Sequence, residues 1–196
     1  LGDLAAAEGR GDEAFEHYRA ATEADPDDVE ARLRWVEALV DAGRPGDGLE
    51  ALTGFTAEDD DEALVATALE ARALAALGRR GAGVARLRDF VAARPAVAAA
   101  WRTLGDYLLT VGRPRAARTV LRRAVRLAPE GPEGARLLAR AVARCGDRKR
   151  AASILARAAR RHPNLEDLHV DVAAALLARG RLDGAERALL RGVSFL

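Results

Sequence analysis

The residues of this 196-residue chain best equipped for metal ligation or nucleophilic catalysis are three histidines, one cysteine and two serines. None stands in a pattern that such chemistry requires. His162 and His169 are seven positions apart across Pro163 and His17 is remote from both, so they read as surface or helix-end side chains rather than ligands. Cys145 has no second cysteine, which excludes an internal disulfide and a multi-cysteine zinc site and leaves a small packed thiol. Ser153 and Ser194 lie in no Gly-x-Ser-x-Gly elbow. Gly81-Ala82-Gly83 lacks the third glycine and the lysine of a phosphate loop and reads as a turn. Asp59-Asp60-Asp61 lacks the alternating ligands and the glycine of a calcium loop. Three carboxylates in a row suit a helix start instead, where they cap free N–H groups and meet the positive end of the dipole. No catalytic centre, cofactor or metal is expected. Arg136, Arg140 and Arg144 differ: spaced i, i+4, i+8, they stack three guanidinium groups on one helix face, and such forks suit planar oxyanions. On an arginine-rich chain the same spacing also arises as a solvated face.

The elements that would carry these residues are helices. Ala, Leu, Arg, Lys and Glu supply 118 residues, aromatics are 4%, and Ile154 is the sole isoleucine, which excludes a β-sandwich or barrel. No uncharged stretch approaches the roughly 18 residues of a membrane helix. The start at Leu1 without any methionine suggests a piece of something longer and gives no compartment; cytoplasmic is the default. Net charge is +1, yet residues 1–70 hold 5 basic and 20 acidic residues, while residues 71–196 hold 26 basic and 10 acidic. Such a split points to a charged partner. Thirty arginines against Lys149 alone carry less weight, because GC-rich coding produces the same bias.

Self-similarity decides the architecture. Gly9, Gly43, Gly78, Gly112, Gly146 and Gly180 recur at spacings of 34, 35, 34, 34 and 34, five of them followed by arginine. Pro26, Pro95, Pro129 and Pro163 each fall 17 residues after a glycine. The stretch between Gly43 and Gly78 lacks that proline and holds the acidic run Glu58–Glu62 in its place. Between the marks, Leu104, Leu108 and Val111 form one apolar stripe, and Ala117, Val120, Leu121, Ala124 and Leu127 form another. Glycine just past a helix end and proline after the next helix make each period a helix, a tight turn, a second helix and a short link. Two such helices cannot hide their apolar faces alone, so neighbours must stack.

On these residues the chain resembles a tetratricopeptide repeat array. The clearest unit, 98–131, has Trp101, Leu104, Gly105, Leu108, Gly112, Ala117, Leu121, Ala124 and Pro129 at the family's signature spacings. Leu138, Ala139, Val142, Gly146, Ala151, Leu155, Ala158 and Pro163 repeat the pattern. Six units result, approximately 1–28, 29–63, 64–97, 98–131, 132–165 and 166–196, read as one all-α, right-handed solenoid of stacked antiparallel helix pairs. Ala117 with Ala124, and Ala151 with Ala158, let helices approach closely. In the second and third units Gly48 and Gly83 replace the first alanine and Phe55 and Phe90 the second, a volume-conserving core exchange.

The resemblance implies that the first helix of each unit lines a concave groove. Carried over, that groove shows Asp3, Glu30, Leu33, Glu37, Val40 and Asp41, then Ala68, Arg72 and Ala75. Arg102, Asp106, Leu109 and Thr110 follow, then Arg136, Arg140 and Arg144, and last Val170, Ala174 and Leu177. Glu37, Asp41, Arg72, Arg102, Asp106, Arg136, Arg140 and Arg144 are the expected partner-binding residues, with Arg102 joining the three stacked arginines as a receptor for carboxylates. Reversing those three to glutamate is expected to abolish capture and leave the melt nearly unchanged. The lysine and asparagine clamp of chaperone-tail receptors is disfavoured, since Lys149 and Asn164 both lie off the groove.

The expected function is therefore a non-enzymatic scaffold binding a protein or peptide with an acidic segment, with head-to-tail self-association as the simplest use of the charge split. The rival is a regulatory or assembly domain of a larger enzyme, receptor or secretion-type complex. Nucleic acid is a further alternative, through Arg115, Arg118, Arg122, Arg123, Arg126 and the cations of 148–161. Scarce aromatics and the acidic first 70 residues count against it. The apolar end Leu189, Leu190, Val193, Phe195 and Leu196 suggests further chain or a partner covering it.

Overall fold

The computed structural model describes residue 2, residues 11–25 and residues 27–193. Leu1, Asp3, Gly9, Pro26, Ser194, Phe195, Leu196 and the side chain of Val193, which carry parts of the sequence reading, lie outside the described set. The described residues form eleven helices and no strand: α1 (Gly11–Ala24), α2 (Val29–Asp41), α3 (Pro45–Ala51), α4 (Asp60–Ala76), α5 (Arg80–Ala93), α6 (Ala98–Thr110), α7 (Pro114–Leu127), α8 (Pro132–Arg144), α9 (Arg148–Arg161), α10 (Glu166–Leu177) and α11 (Leu182–Val193). They pack as consecutive antiparallel pairs, the α-solenoid class of fold.

The turn inside each pair is built the same way. After α6, Gly112 takes φ 76°, and the Arg113 N–H reaches back to the Leu108 carbonyl at 2.7 Å. That closure satisfies helix-end carbonyls and needs a left-handed residue, hence glycine. Arg44, Arg79, Asp147 and Arg181 make the same bond to Leu39, Leu74, Val142 and Leu176. Pro45, Pro114 and Pro132 then open helices at the first position, where no N–H is missed.

The chain divides into two compact units, residues 1–93 and residues 94–196. The first holds 10 basic and 21 acidic residues and the second 21 basic and 9 acidic, so the charge split follows the structural one. In residues 94–196, Leu104, Leu108 and Leu121 are fully buried, and Ala117, Ala124, Ala151 and Ala158 let the helices close together as expected. Gly105 is required for space: a Cβ there would fall inside the isobutyl group of Leu121.

In residues 1–93 the acidic run does what its sequence suggests. Asp59 caps α4, its Oδ1 accepting from the N–H groups of Asp61 and Glu62 at 2.9 and 2.8 Å, while Glu62 accepts from the Glu58 N–H at 2.8 Å. The preceding helix α3 stops after seven residues. Arg32 closes its end, donating to the carbonyls of Ala51 and Thr53 at 2.7 and 2.8 Å. Its guanidinium lies 5.9 Å from the Phe55 ring, which packs on Leu33, Val36 and Leu69. Phe90 and Gly83 are buried, and Gly48 lies against Val40, so these exchanges serve packing.

Candidate partner-binding groove

The first helices of the three pairs in residues 94–196, α6, α8 and α10, surround a cavity of about 570 Å³. Its walls carry Arg102 and Asp106 from α6, Glu133, Arg136 and Arg140 from α8, and Asp171 from α10. Leu137 and Leu155 add apolar surface. Four of the expected groove residues, Arg102, Asp106, Arg136 and Arg140, are thus brought together. Arg144 lies outside the lining, its Nη1 donating to the Leu109 carbonyl at 2.7 Å. Glu37, Asp41 and Arg72 belong to residues 1–93 and form their own cluster, Arg72 meeting Glu37 at 3.1 Å and Asp41 at 2.6 Å.

The arginines of α8 are engaged inside the protein. Arg136 donates through Nε to Asp171 at 2.6 Å and through Nη1 to Asp167 at 3.3 Å. The Asp171 hydrogen bond, partly offset by desolvation, holds the Arg136 guanidinium above its ordinary pKa. Arg140 stands 3.6 Å from Asp106. Reversing these charges would set new carboxylates beside existing ones, so the expectation that the melt stays unmoved is corrected. Arg102 is exposed and has no ion pair or side-chain hydrogen bond among the described residues. It is the lining cation without an internal partner among the described residues.

Two apolar groove expectations are also corrected. Leu33 and Leu109 are buried, Leu33 in the cluster with Val36 and Leu69 and Leu109 beneath the α8 contact. Asp167 and Asp171 were missed as groove-side acids; their offsets of 31 and 35 from Arg136 bracket the repeat period and were the available signal. His169, expected at the surface or a helix end, stands in the first turn of α10 and is buried there, with Nε2 3.0 Å from the Pro163 carbonyl, which requires the proton on Nε2. Among the described residues no group of three or more His, Cys, Asp or Glu could hold a metal, and no helix is long and apolar enough to cross a membrane.

Paired helices at a 34-residue period, turned by left-handed glycines and knitted through their first helices, define a repeat protein of the α-solenoid class. Tetratricopeptide repeat family profiles match residues 5–73 and 145–194, and residues 98–141. The chain belongs to the tetratricopeptide repeat family. No curated protein sequence matches it. Among solved structures, a thermophilic tetratricopeptide repeat protein of Thermus thermophilus is similar at TM-score 0.69 and 25% identity, covering 90% of this chain and 96% of that one. MamA is similar at TM-score 0.54 and 19% identity, covering 100% and 94%. A MamA fragment from Desulfovibrio magneticus RS-1 is similar at TM-score 0.62 and 18% identity, covering 86% and 95%.

Proposed function

We propose that the chain is a non-enzymatic protein-interaction scaffold whose six units serve as one module, and that the groove of α6, α8 and α10 takes an acidic segment of a protein or peptide partner. The observation that carries this reading is Arg102, a guanidinium unpaired among the described residues on the wall of a preformed cavity. Arg136 and Arg140 offer their remaining donors beside it, and a rigid floor limits the entropy cost of binding. Glu37, Asp41 and Arg72 give the groove of residues 1–93 a mixed charge suited to a segment with a basic residue. The test uses a fluorescein-labelled acidic decapeptide and anisotropy at low salt. Arg102→Glu should weaken binding by roughly tenfold or more, the worth of one charge-assisted bond, while the thermal melt holds. Undiminished binding would overturn the site.

Two specific observations favour further readings. The opposite charges of residues 1–93 and 94–196 support head-to-tail self-association, which sedimentation at low and high salt would detect as a salt-sensitive dimer. Leu182 and Leu190 on α11 are 69% and 62% exposed, and Leu189 is exposed although its repeat equivalents Leu121 and Leu155 are buried. That apolar face supports the assembly-domain reading, in which the array packs against other protein.

A further inference from the structure

The solvent faces of α7 and α9 carry cations that no carboxylate on either helix neutralises. The two helices together hold ten arginines and Lys149 and no aspartate or glutamate. The 34-residue period makes Arg115 and Lys149, Arg123 and Arg157, and Arg126 and Arg160 repeat equivalents, and all six are exposed. None of the six has a side-chain hydrogen bond or ion pair among the described residues. The arginines of α8, by contrast, are each engaged. Each helix carries its cations along about 16 Å, from the helical rise over eleven residues, and the two helices flank one cleft that Val125, Ile154 and Arg157 help to line.

We infer that this face docks on the sugar–phosphate backbone of a nucleic-acid duplex. A protein partner calls for an apolar or aromatic centre, and α7 and α9 expose no large hydrophobic side chain. A single strand calls for aromatic stacking platforms, and neither helix contains an aromatic residue. A bilayer surface is held by basic residues together with inserted apolar ones, which this face lacks. A duplex backbone needs only clustered cations, and its protein interfaces are far more positive and polar than those with proteins. Guanidinium forks suit the phosphate oxygens. The scarcity of aromatics therefore weighs against single strands alone, and the acidic excess lies in residues 1–93, outside the unit that bears the patch.

The test is anisotropy of the full chain with a fluorescein-labelled 20-base-pair DNA duplex between about 50 and 200 mM salt. With six cations on phosphates, the logarithm of the binding constant should fall against log salt with a slope of about −5. The Arg123→Glu/Arg157→Glu variant should lose more than tenfold in affinity and flatten the slope by about 2, while Arg123→Lys/Arg157→Lys retains binding. Circular dichroism checks that both variants fold. Duplex binding that is absent, salt-insensitive or undiminished in the glutamate variant would overturn the inference. So would equal or tighter binding of the single-stranded 20-mer or of phosphatidylserine vesicles, or polyglutamate binding that Arg123→Glu/Arg157→Glu weakens as much as it weakens duplex binding.

Discussion

Arg136 and Asp171 are 35 residues apart in sequence and 2.6 Å apart in space, and Arg136 also meets Asp167, 31 residues on. In residues 1–93, Arg72 makes the same two offsets in the opposite direction, to Glu37 and Asp41. Against a period of 34, offsets of 35 and 31 place two carboxylates one helical turn apart on either side of a single guanidinium. Each such arginine ties the first helix of its pair to the first helix of the neighbouring pair. Arg140 and Arg144 reach the other way, to Asp106 and the Leu109 carbonyl, so α8 is held from both sides. Charge in this groove is structural before it is available to a ligand.

A double-mutant cycle at Arg136 and Asp171 measures that tie. Both side chains remain about one-third exposed, so solvent screens the pair and a coupling of about 0.5–1 kcal/mol is expected in urea unfolding. The coupling should shrink in 1 M salt, where the Debye length is about 3 Å. A coupling indistinguishable from zero at low salt would remove the tie from the account of how the repeats hold together.

The raised pKa of Arg136 fixes the pH behaviour of this contact. A basic group whose folded pKa lies above its unfolded value stabilises fully below the unfolded value and loses that contribution only as pH rises through the folded one. For arginine that window lies beyond the range in which the guanidinium titrates in ordinary solutions. Lysine titrates near pH 10.4 when unfolded, so the urea midpoints of wild type and Arg136→Lys should separate further as pH rises above that value. A constant gap would show that the charge at this position contributes nothing.

The fold was legible because its determinants are local and periodic. The glycine marks, the alanine pairs and the Asp59 cap each follow from a residue type at a fixed place in a 34-residue period, and among the described residues each stands where it was expected. The groove was legible only in part. The arginine stack was visible along α8, but its partners lie on neighbouring helices, and the sequence was read within helices rather than between them. Leu33 and Leu109 were misplaced for a related reason: a helix sandwiched between two neighbours buries more than one stripe. The helix-end place of His169 was legible, but its burial was not, because nothing in its own segment announces the Pro163 carbonyl that it meets.

The cap at Asp59 should be measurable separately from packing. Asp59→Ala leaves the Asp61 and Glu62 N–H groups without their side-chain acceptor at the start of α4, costing about 1 kcal/mol. Asp59→Asn or Asp59→Ser should restore most of it. A loss that neither substitute recovers would assign the residue some other role than capping.

Gly105 and Gly112 sit seven residues apart, and alanine should damage them by different mechanisms. At Gly112 a Cβ meets nothing within 4 Å, yet φ is 76°, so Gly112→Ala costs roughly 1–2 kcal/mol through backbone conformation alone. Asparagine, which tolerates the left-handed region, should recover part of that loss. Gly105 lies within α6, where alanine is otherwise the better helix former by about 1 kcal/mol. There the added methyl collides with Leu121, a fully buried side chain of α7, and overpacking should cost about 1–3 kcal/mol. Trimming the obstacle distinguishes the two cases. In urea unfolding, Leu121→Ala should make Gly105→Ala far less harmful, with the pair strongly non-additive, while leaving the cost of Gly112→Ala unchanged. Additivity at Gly105 would mean that α6 and α7 do not meet as closely as the buried leucine requires.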